Sequence, residues 1–149
     1  MLRQTPTRAD RARGRGGRVA FAHMNVPDDL RYSSDHEWVR VEDGRFRIGI
    51  TDYAQDALGD VVFVQSPEVG AEFAAGAVLG EIESTKSVSE VYAPVQGVVV
   101  EINGDLESSP ELLNSDPYGA GWIVVVEPVD LRSVEDLLDA TAYRQLTDA

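Results

Sequence analysis

The sequence contains no cysteine and only two histidines, His23 and His36, and these absences exclude several classes of function. Without cysteine the chain forms no disulfide, binds no metal through thiolates and has no cysteine nucleophile. Two histidines are too few for a dedicated histidine-rich metal site. No apolar run reaches the ~18 residues that a membrane-spanning helix requires. Lysine is nearly absent as well, since Lys86 is the only lysine among the 13 basic residues.

Charge is unevenly distributed along the 149 residues, whose net charge is −13. Residues 1–23 carry six arginines and one acid, whereas the chain from Met24 onward carries 7 basic and 25 acidic side chains, a net charge of −18. Such an acidic chain repels the phosphate backbone of nucleic acid, so we expect no binding to nucleic acid. We also expect no association with a membrane. The composition is otherwise typical of one globular domain, which we assign to residues 24–149.

The segment 1–23 is rich in arginine and glycine and has no helical or strand period, which predicts a disordered extension. Its apolar stretch, Val19–Ala22, is too short for a signal peptide. A transit peptide fits the arginine content but not the lack of serine, and a nucleic-acid-binding arm is a third interpretation. We favour a fourth, in which Met24 is the true start. A start at Met24 predicts a bacterial cytoplasmic protein, whereas a transit peptide would predict a mitochondrial one.

Short segments with strand character follow one another through most of the chain. His36–Glu42 and Arg45–Thr51 flank an Asp-Gly pair, which predicts a β-hairpin. In a later segment the alternation places Val98, Val100 and Ile102 on one face. The roughly eight strands predict a small antiparallel sandwich or barrel. The further strand segments are residues 61–65, 78–85, 87–93, 98–103 and 122–127.

Three helices are predicted between and after the strands. Thr51 is a suitable N-cap for a helix over residues 52–58, which a glycine follows. A serine-proline pair predicts a second helix over residues 109–113. The S-x-x-D pattern that begins at Ser133 precedes apolar residues at helical spacing, and it predicts a C-terminal helix over residues 133–146.

Lys86 lies between two predicted strands, where a tight turn presents its amine to solvent. A lone lysine is ordinarily a solvated surface residue. In this chain every other basic side chain is an arginine, whose guanidinium stays protonated, whereas a lysine amine becomes a nucleophile once it loses a proton. The position and uniqueness of Lys86 therefore predict a site of covalent attachment.

The remaining candidate residues have simpler explanations. His36 titrates near neutrality, but no serine or cysteine nucleophile motif accompanies it, so we interpret it as structural. Trp38 and Trp122 are expected in the core. Glu37 is open between a surface acid and a functional carboxylate. No group of nucleophile, base and orienting side chain is evident, so we expect a protein that is not an enzyme.

Several short stretches of the chain form a series of motifs: His36-Glu37-Trp38, Gly49–Asp52 with Ala54-Gln55, Leu58–Phe63, Glu81–Ser87, Tyr92–Pro94, Asn114–Tyr118 and Gly121-Trp122. In their order and spacing these motifs resemble the H protein of the glycine cleavage system. The resemblance runs from about Leu30 to Trp122 and again over the C-terminal helix. The set of motifs in family order is more specific than the E-S-x-K core alone.

The resemblance implies a mainly β fold of the lipoyl/biotinyl-carrier type, a barrel-sandwich hybrid of antiparallel strands with short helices and a C-terminal helix. It also implies lipoic acid bound to Lys86 through an amide. In this family the arm accepts an aminomethyl group from the pyridoxal-phosphate-dependent glycine decarboxylase and passes it to a tetrahydrofolate-dependent aminomethyltransferase. Dihydrolipoyl dehydrogenase reoxidises the arm, and a lipoylating enzyme attaches it. We expect the carrier to be a monomer.

The resemblance further implies that Glu37 lies near the cleft where the loaded arm folds back, and that its carboxylate holds the protonated amine there. Three alternatives have related folds or modifications. A biotin carrier would flank its lysine with methionines, whereas Thr85 and Ser87 stand here. A lipoyl domain of a 2-oxoacid dehydrogenase is a second alternative. The third is an H-like protein that relays lipoate without glycine cleavage.

Overall fold

The computed structural model describes residues 24–148, so the predicted disorder of residues 1–23 lies outside the described part of the chain. Within these residues the chain forms nine strands, with short helices between some of them and at the C-terminal end of the described part. The strands are β1 Arg31–Tyr32, β2 Glu37–Glu42, β3 Arg45–Ile50, β4 Val61–Gln65, β5 Glu72–Phe73, β6 Val78–Ser84, β7 Val88–Tyr92, β8 Gly97–Ile102 and β9 Val124–Pro128. The α-helices are α1 Asp52–Leu58, α2 Asp105–Ser108, α3 Leu112–Ser115 and α4 Ala140–Asp148, and a 3-10 helix spans Leu131–Asp136.

The strands form two sheets in which every pair is antiparallel. One sheet has the strand order β1-β2-β3-β9-β8-β5, and the other has the order β4-β6-β7. The predicted Asp-Gly hairpin is the β2–β3 connection. Asp43 and Gly44 both have positive φ, 52° and 80°, which the tight two-residue turn of a right-twisted hairpin requires.

The main core contains apolar side chains from both sheets and from α1. Phe46 and Ile48 of β3 have no exposed surface, and Ile82 of β6 is 1% exposed. Burial of such side chains stabilises the fold by roughly 1.5–3 kcal/mol each before entropy is counted. This common core holds the two sheets face to face and confirms the predicted sandwich of short strands.

A second apolar cluster joins the C-terminal helix to the start of the six-stranded sheet. Tyr143 of α4 stacks on Tyr32 of β1 with ring centroids 4.6 Å apart, and Trp38 completes the cluster. Trp38 is fully buried, as predicted. Trp122 is only partly buried at the edge of this cluster, and the guanidinium of Arg47 lies 4.4 Å from its ring centroid.

Helix α1 confirms the helix predicted for residues 52–58. The Thr51 hydroxyl accepts a hydrogen bond from the Ala54 amide at 3.1 Å, which is the N-cap interaction. The prediction of a helix over residues 109–113 is wrong in its bounds, because α3 begins three residues later, and α2 precedes it without having been predicted.

The prediction of one C-terminal helix over residues 133–146 is wrong. The chain forms the 3-10 helix, extends, and only then forms α4. The interruption has a tertiary cause, since Leu138 exchanges two backbone hydrogen bonds of 2.8 Å with Tyr32. The Asp139 carboxylate then accepts the Ala142 amide at 2.9 Å and so caps α4. Among the described residues no helix is both long and apolar enough to cross a membrane.

The alternation predicted for β8 fails at its centre. Val99 pairs with Val126 and Ile102 pairs with Val124, so Val99 and Ile102, three residues apart, lie on the same face of the sheet. The pairing with β9 shifts by one residue between Val99 and Glu101. A bulge of this kind inserts an extra residue and breaks the two-residue period.

Candidate functional site

Lys86 lies in the turn between β6 and β7, and it is exposed to solvent. The Ser84 amide donates to the Ser87 carbonyl at 2.8 Å, so Thr85 and Lys86 occupy the centre of the turn. Both central residues are exposed. The predicted position of Lys86 at the tip of a hairpin is therefore confirmed.

Ser84 fixes the backbone of this turn from the inside. Ser84 is only 6% exposed. Its hydroxyl oxygen accepts hydrogen bonds from the amides of Lys86 at 3.3 Å and Ser87 at 3.1 Å. The same hydroxyl donates to the Ser87 carbonyl at 3.2 Å. A short serine side chain that bonds its own turn in this way restricts the turn to one conformation.

The segment that connects α1 to β4 contacts the turn that carries Lys86. The Thr85 amide donates to the Asp60 carbonyl at 3.0 Å. Gly59 lies directly against the lysine stem, because a Cβ atom placed on it would be 3.2 Å from Lys86 Cε. Gly59 also has a φ of 82°, which other residues adopt only with strain. In the sequence Gly59 is recognisable only as the end of a helix, and no local pattern marks the contacts of Gly59 and Ser84 with the turn that carries the lysine.

Glu37 is not a surface acid, because the residue is 2% exposed. The Ser33 hydroxyl donates to its Oε1 atom, and the Tyr92 amide donates to its Oε2 atom at 3.1 Å. Glu37 belongs to β2 of the six-stranded sheet, whereas Tyr92 is the last residue of β7 in the three-stranded sheet. The carboxylate therefore joins the two sheets.

Burial raises the pKa of Glu37 to about 7, and the hydrogen bonds from Ser33 and Tyr92 oppose this shift only in part. Near neutral pH about half of the molecules then carry the charge. A cation that approaches such a carboxyl favours its ionised form. Glu37 can thus gain negative charge when a positively charged group arrives.

Lys86 and Glu37 lie at opposite ends of one strand. Lys86 precedes β7 by two residues, and Glu37 contacts the last residue of β7. At ~3.3 Å per residue, Val88 and Tyr92 are ~13 Å apart along the strand. Strand β7 is also an edge of its sheet, so only one of its sides is paired with a neighbouring strand.

His36 has a structural role beside Glu37. Its Nδ1 atom lies 2.7 Å from the Tyr143 hydroxyl, and its ring stacks on Tyr53 with centroids 4.7 Å apart. Burial lowers the pKa of His36, so the ring is held in its neutral form. The contact with Tyr143 joins the start of β2 to α4. It agrees with the interpretation of His36 as a structural residue. Within residues 24–148, no group of three or more metal-ligating side chains is present.

Two antiparallel sheets around a common core, with an exposed lysine at a hairpin turn, define a carrier domain of the lipoyl/biotinyl type. Comparison with known families identifies the branch of this class. A family model described as "Glycine cleavage H-protein" matches residues 30–149. The chain therefore belongs to the glycine cleavage H-protein family.

Individual relatives agree with the family assignment. The chain is 59% identical over 125 residues to the glycine cleavage system H protein of Mycobacterium avium, an alignment that covers 80% of this chain and 95% of the relative. It is 54% identical over 124 residues to that of Bacillus subtilis, covering 83% and 98% of the two chains. The crystal structure of a glycine cleavage system H protein from Mycobacterium marinum superposes with a TM-score of 0.77 at 44% identity, covering 83% of this chain and all of that one.

Proposed function

We propose that this chain is the lipoyl carrier of a glycine cleavage system, with lipoic acid bound to Lys86 through an amide. The observation that carries the proposal is an exposed lysine at the centre of the β6–β7 turn, in a chain that belongs to the H-protein family. When bound, the lipoyl group supplies a dithiolane that accepts the aminomethyl group left by decarboxylation of glycine.

The residues around Lys86 fit this modification. The lysine stem is held against Gly59, while the turn that carries it is closed by Ser84 and is otherwise exposed. An enzyme can therefore reach the amine without unfolding the hairpin. The neighbours Thr85 and Ser87 are small and polar, and they differ from the methionines typical of biotin carriers.

The contribution of this chain to the reaction sequence is presentation and delivery rather than bond making. The partners are the pyridoxal-phosphate-dependent glycine decarboxylase, the aminomethyltransferase that uses tetrahydrofolate, dihydrolipoyl dehydrogenase and a lipoylating enzyme. The names of the bacterial relatives support a place in this system, and we place it in a bacterial cytoplasm. One exposed turn serves all four enzymes, so each must recognise the surroundings of Lys86.

Glu37 is proposed to hold the amine of the loaded arm. Its carboxyl is buried, has a pKa of about 7 and contacts the end of β7 that is remote from Lys86. A protonated amine that reached this point would be held by a charge-assisted hydrogen bond, a type of bond that contributes ~1.5–3 kcal/mol. The same contact would keep water away from the carrier's labile cargo.

The test is a loading reaction followed by intact mass. The lipoylated protein is incubated with glycine and the decarboxylase, and we expect the mass of an aminomethyl group to be added. Lys86→Arg removes the only lysine and should remain unmodified throughout. Loading of the Lys86→Arg variant would contradict the proposed site. A lipoylated wild type that takes up nothing from glycine would instead favour the lipoate-relay alternative.

A further inference from the structure

Asn114 makes three hydrogen bonds, one each to α1, to the start of β4 and to the connection between them. Its Oδ1 atom accepts from the Val61 amide at 2.9 Å, and its Nδ2 atom donates to the Gly59 carbonyl at 2.9 Å. The same Nδ2 atom donates to Gln55 Oε1 at 3.0 Å. Asn114 itself belongs to α3, more than fifty residues further along the chain. Its amide group therefore holds this connection from outside the segment.

The two backbone groups that Asn114 binds stand on either side of Asp60. The Asp60 carbonyl accepts the Thr85 amide at 3.0 Å, and a Cβ atom placed on Gly59 would be 3.2 Å from Lys86 Cε. The chain of contacts thus runs from the Asn114 amide through residues 59–61 to the turn that carries the lysine. Each step in it is a direct contact.

Beyond Asn114, residues 59–61 are fixed by the Gly59 amide, which donates to the Gln55 carbonyl at 3.0 Å, and by the pairing of Val61 with Ser84. Asp60 is exposed, and the β4–β6 pairing is irregular between Val61 and Phe63. Val61 is 3% exposed, so replacement of Asn114 by alanine would leave its amide without a side-chain partner in a site sheltered from water. An unpaired amide in such a site favours local rearrangement of the backbone.

We propose that Asn114 is a positioning residue for Lys86: it holds residues 59–61 as the platform on which the lysine-bearing turn rests. The enzymes that act on Lys86 then meet the turn in a single conformation. The inference rests on the proposed lipoylation of Lys86 for its functional consequence, but the positioning itself is a property of the unmodified chain.

Asn103 provides a matched control within the same molecule. Its Nδ2 atom donates to the carbonyls of Ala120 at 2.8 Å and Trp122 at 2.7 Å, and its Oδ1 atom accepts the Asp105 amide at 3.1 Å. Asn103 thus also makes two donor bonds and one acceptor bond, but all of them are to residues away from the Lys86 turn. Replacement of either asparagine by aspartate keeps the acceptor and removes both donors.

The first measurement is amide hydrogen exchange on the full-length, unlipoylated protein. We expect Asn114→Asp to speed exchange of the Thr85 amide about tenfold, because the Gly59 carbonyl loses its donor and faces a carboxylate, which loosens the platform that binds the Thr85 amide. Asn103→Asp should leave Thr85 exchange within about twofold of wild type. Asn114→Ala, which removes the donors and the acceptor without adding charge, serves as a second variant if the aspartate prevents folding. Equal Thr85 exchange in the Asn114 and Asn103 variants would overturn the proposal.

The second measurement is the rate at which a lipoylating enzyme modifies each variant. We expect kcat/KM for lipoylation to fall about tenfold in Asn114→Asp, mainly through KM, since a smaller fraction of the molecules present the turn correctly. Asn103→Asp should retain the wild-type value. Unchanged lipoylation of both variants would overturn the role of Asn114 toward Lys86. If the wild type itself accepted no lipoyl group, the proposed function would fail, while the exchange result would still decide whether Asn114 positions the turn.

Discussion

One residue of the site, Lys86, is accessible to partner enzymes, and several buried residues fix its position. Lys86 is exposed, whereas Ser84, two residues earlier, is buried and closes the turn through its hydroxyl. Glu37 is also buried, and it joins the ends of the two sheets rather than facing solvent. A reactive side chain on a rigid, solvent-facing turn suits a carrier whose partners must reach the same atom in succession.

Glu37 predicts a specific pH dependence of stability. Its pKa is about 7 in the folded state and about 4.5 as a model value, so the folded chain binds more protons between these pH values. The free energy of unfolding should therefore fall as pH rises from about 4.5 to 7, by a few kcal/mol at most, and level off above. Glu37→Gln keeps the size of the side chain but does not titrate. Thermal unfolding should thus show a smaller decline across this window for the variant, and equal slopes would contradict the burial argument.

Glu37 also predicts the lifetime of the loaded carrier. Replacement by alanine would remove the acceptor of the Tyr92 amide and leave a cavity, so glutamine is the better substitution. In the absence of the other enzymes, Glu37→Gln should shorten the half-life of the aminomethyl-loaded protein severalfold, because the neutral amide holds a cation less tightly. Lipoylation and reduction of the arm should be unaffected.

The exposed glutamate Glu101 is the control for this lifetime measurement, since Glu101→Gln removes the same charge from the surface of β8. Its loaded half-life should match that of wild type. Equal half-lives for Glu37→Gln and wild type would leave Glu37 with a purely structural role between the sheets.

At the level of secondary-structure elements, the C-terminal region tests how tertiary contacts override a local pattern. Asp139 caps α4, whereas Ser133 lies within the 3-10 helix and donates to the Asp130 carbonyl. Asp139→Ala should lower the free energy of unfolding by about 1 kcal/mol, and Ser133→Ala by no more than about 0.5 kcal/mol. Chemical denaturation measures both. A larger loss of unfolding free energy for Ser133→Ala than for Asp139→Ala would instead support the single continuous helix that the sequence pattern predicts.

Local patterns predicted the elements that local interactions determine. The Asp-Gly turn, the N-cap of α1 and the Ser84–Ser87 bonds that close the turn at Lys86 all join residues within a few positions of one another. The interruption before α4 depends on Leu138 pairing with Tyr32, more than one hundred residues away, and no local pattern contains that information. The bulge in β8 and the short strand β5 likewise arise from pairing between distant segments.

The same distinction between local interactions and contacts of distant segments applies to the candidate site. Lys86 could be identified from its uniqueness and its place between strands. The burial of Glu37 could not, because it results from the packing of the two sheets against each other. Asn114 was visible only as part of a family motif, and its contacts with Gly59 and Val61 required the fold.

The whole chain has a net charge of −13, and its residues from Met24 onward have a net charge of −18, to which acylation of Lys86 adds by removing one positive charge. The partner enzymes and the lipoylating enzyme should therefore present basic surfaces to this carrier. We expect the association rate with each to fall several-fold as ionic strength rises from low values to ~0.2 M, because screening weakens long-range attraction. Stopped-flow binding measures this dependence. Rates that do not change with salt would show that charge does not guide the encounter.

The mass of the peptide that contains Lys86, taken from protein isolated from its own cells, decides whether this chain is a lipoyl carrier. We expect a lipoyl group on Lys86 in cells that cleave glycine, and an unmodified peptide at this position in cells that express Lys86→Arg. A Lys86 that stays unmodified in glycine-cleaving cells, or a lipoyl group that persists on the Lys86→Arg chain, would contradict this expectation.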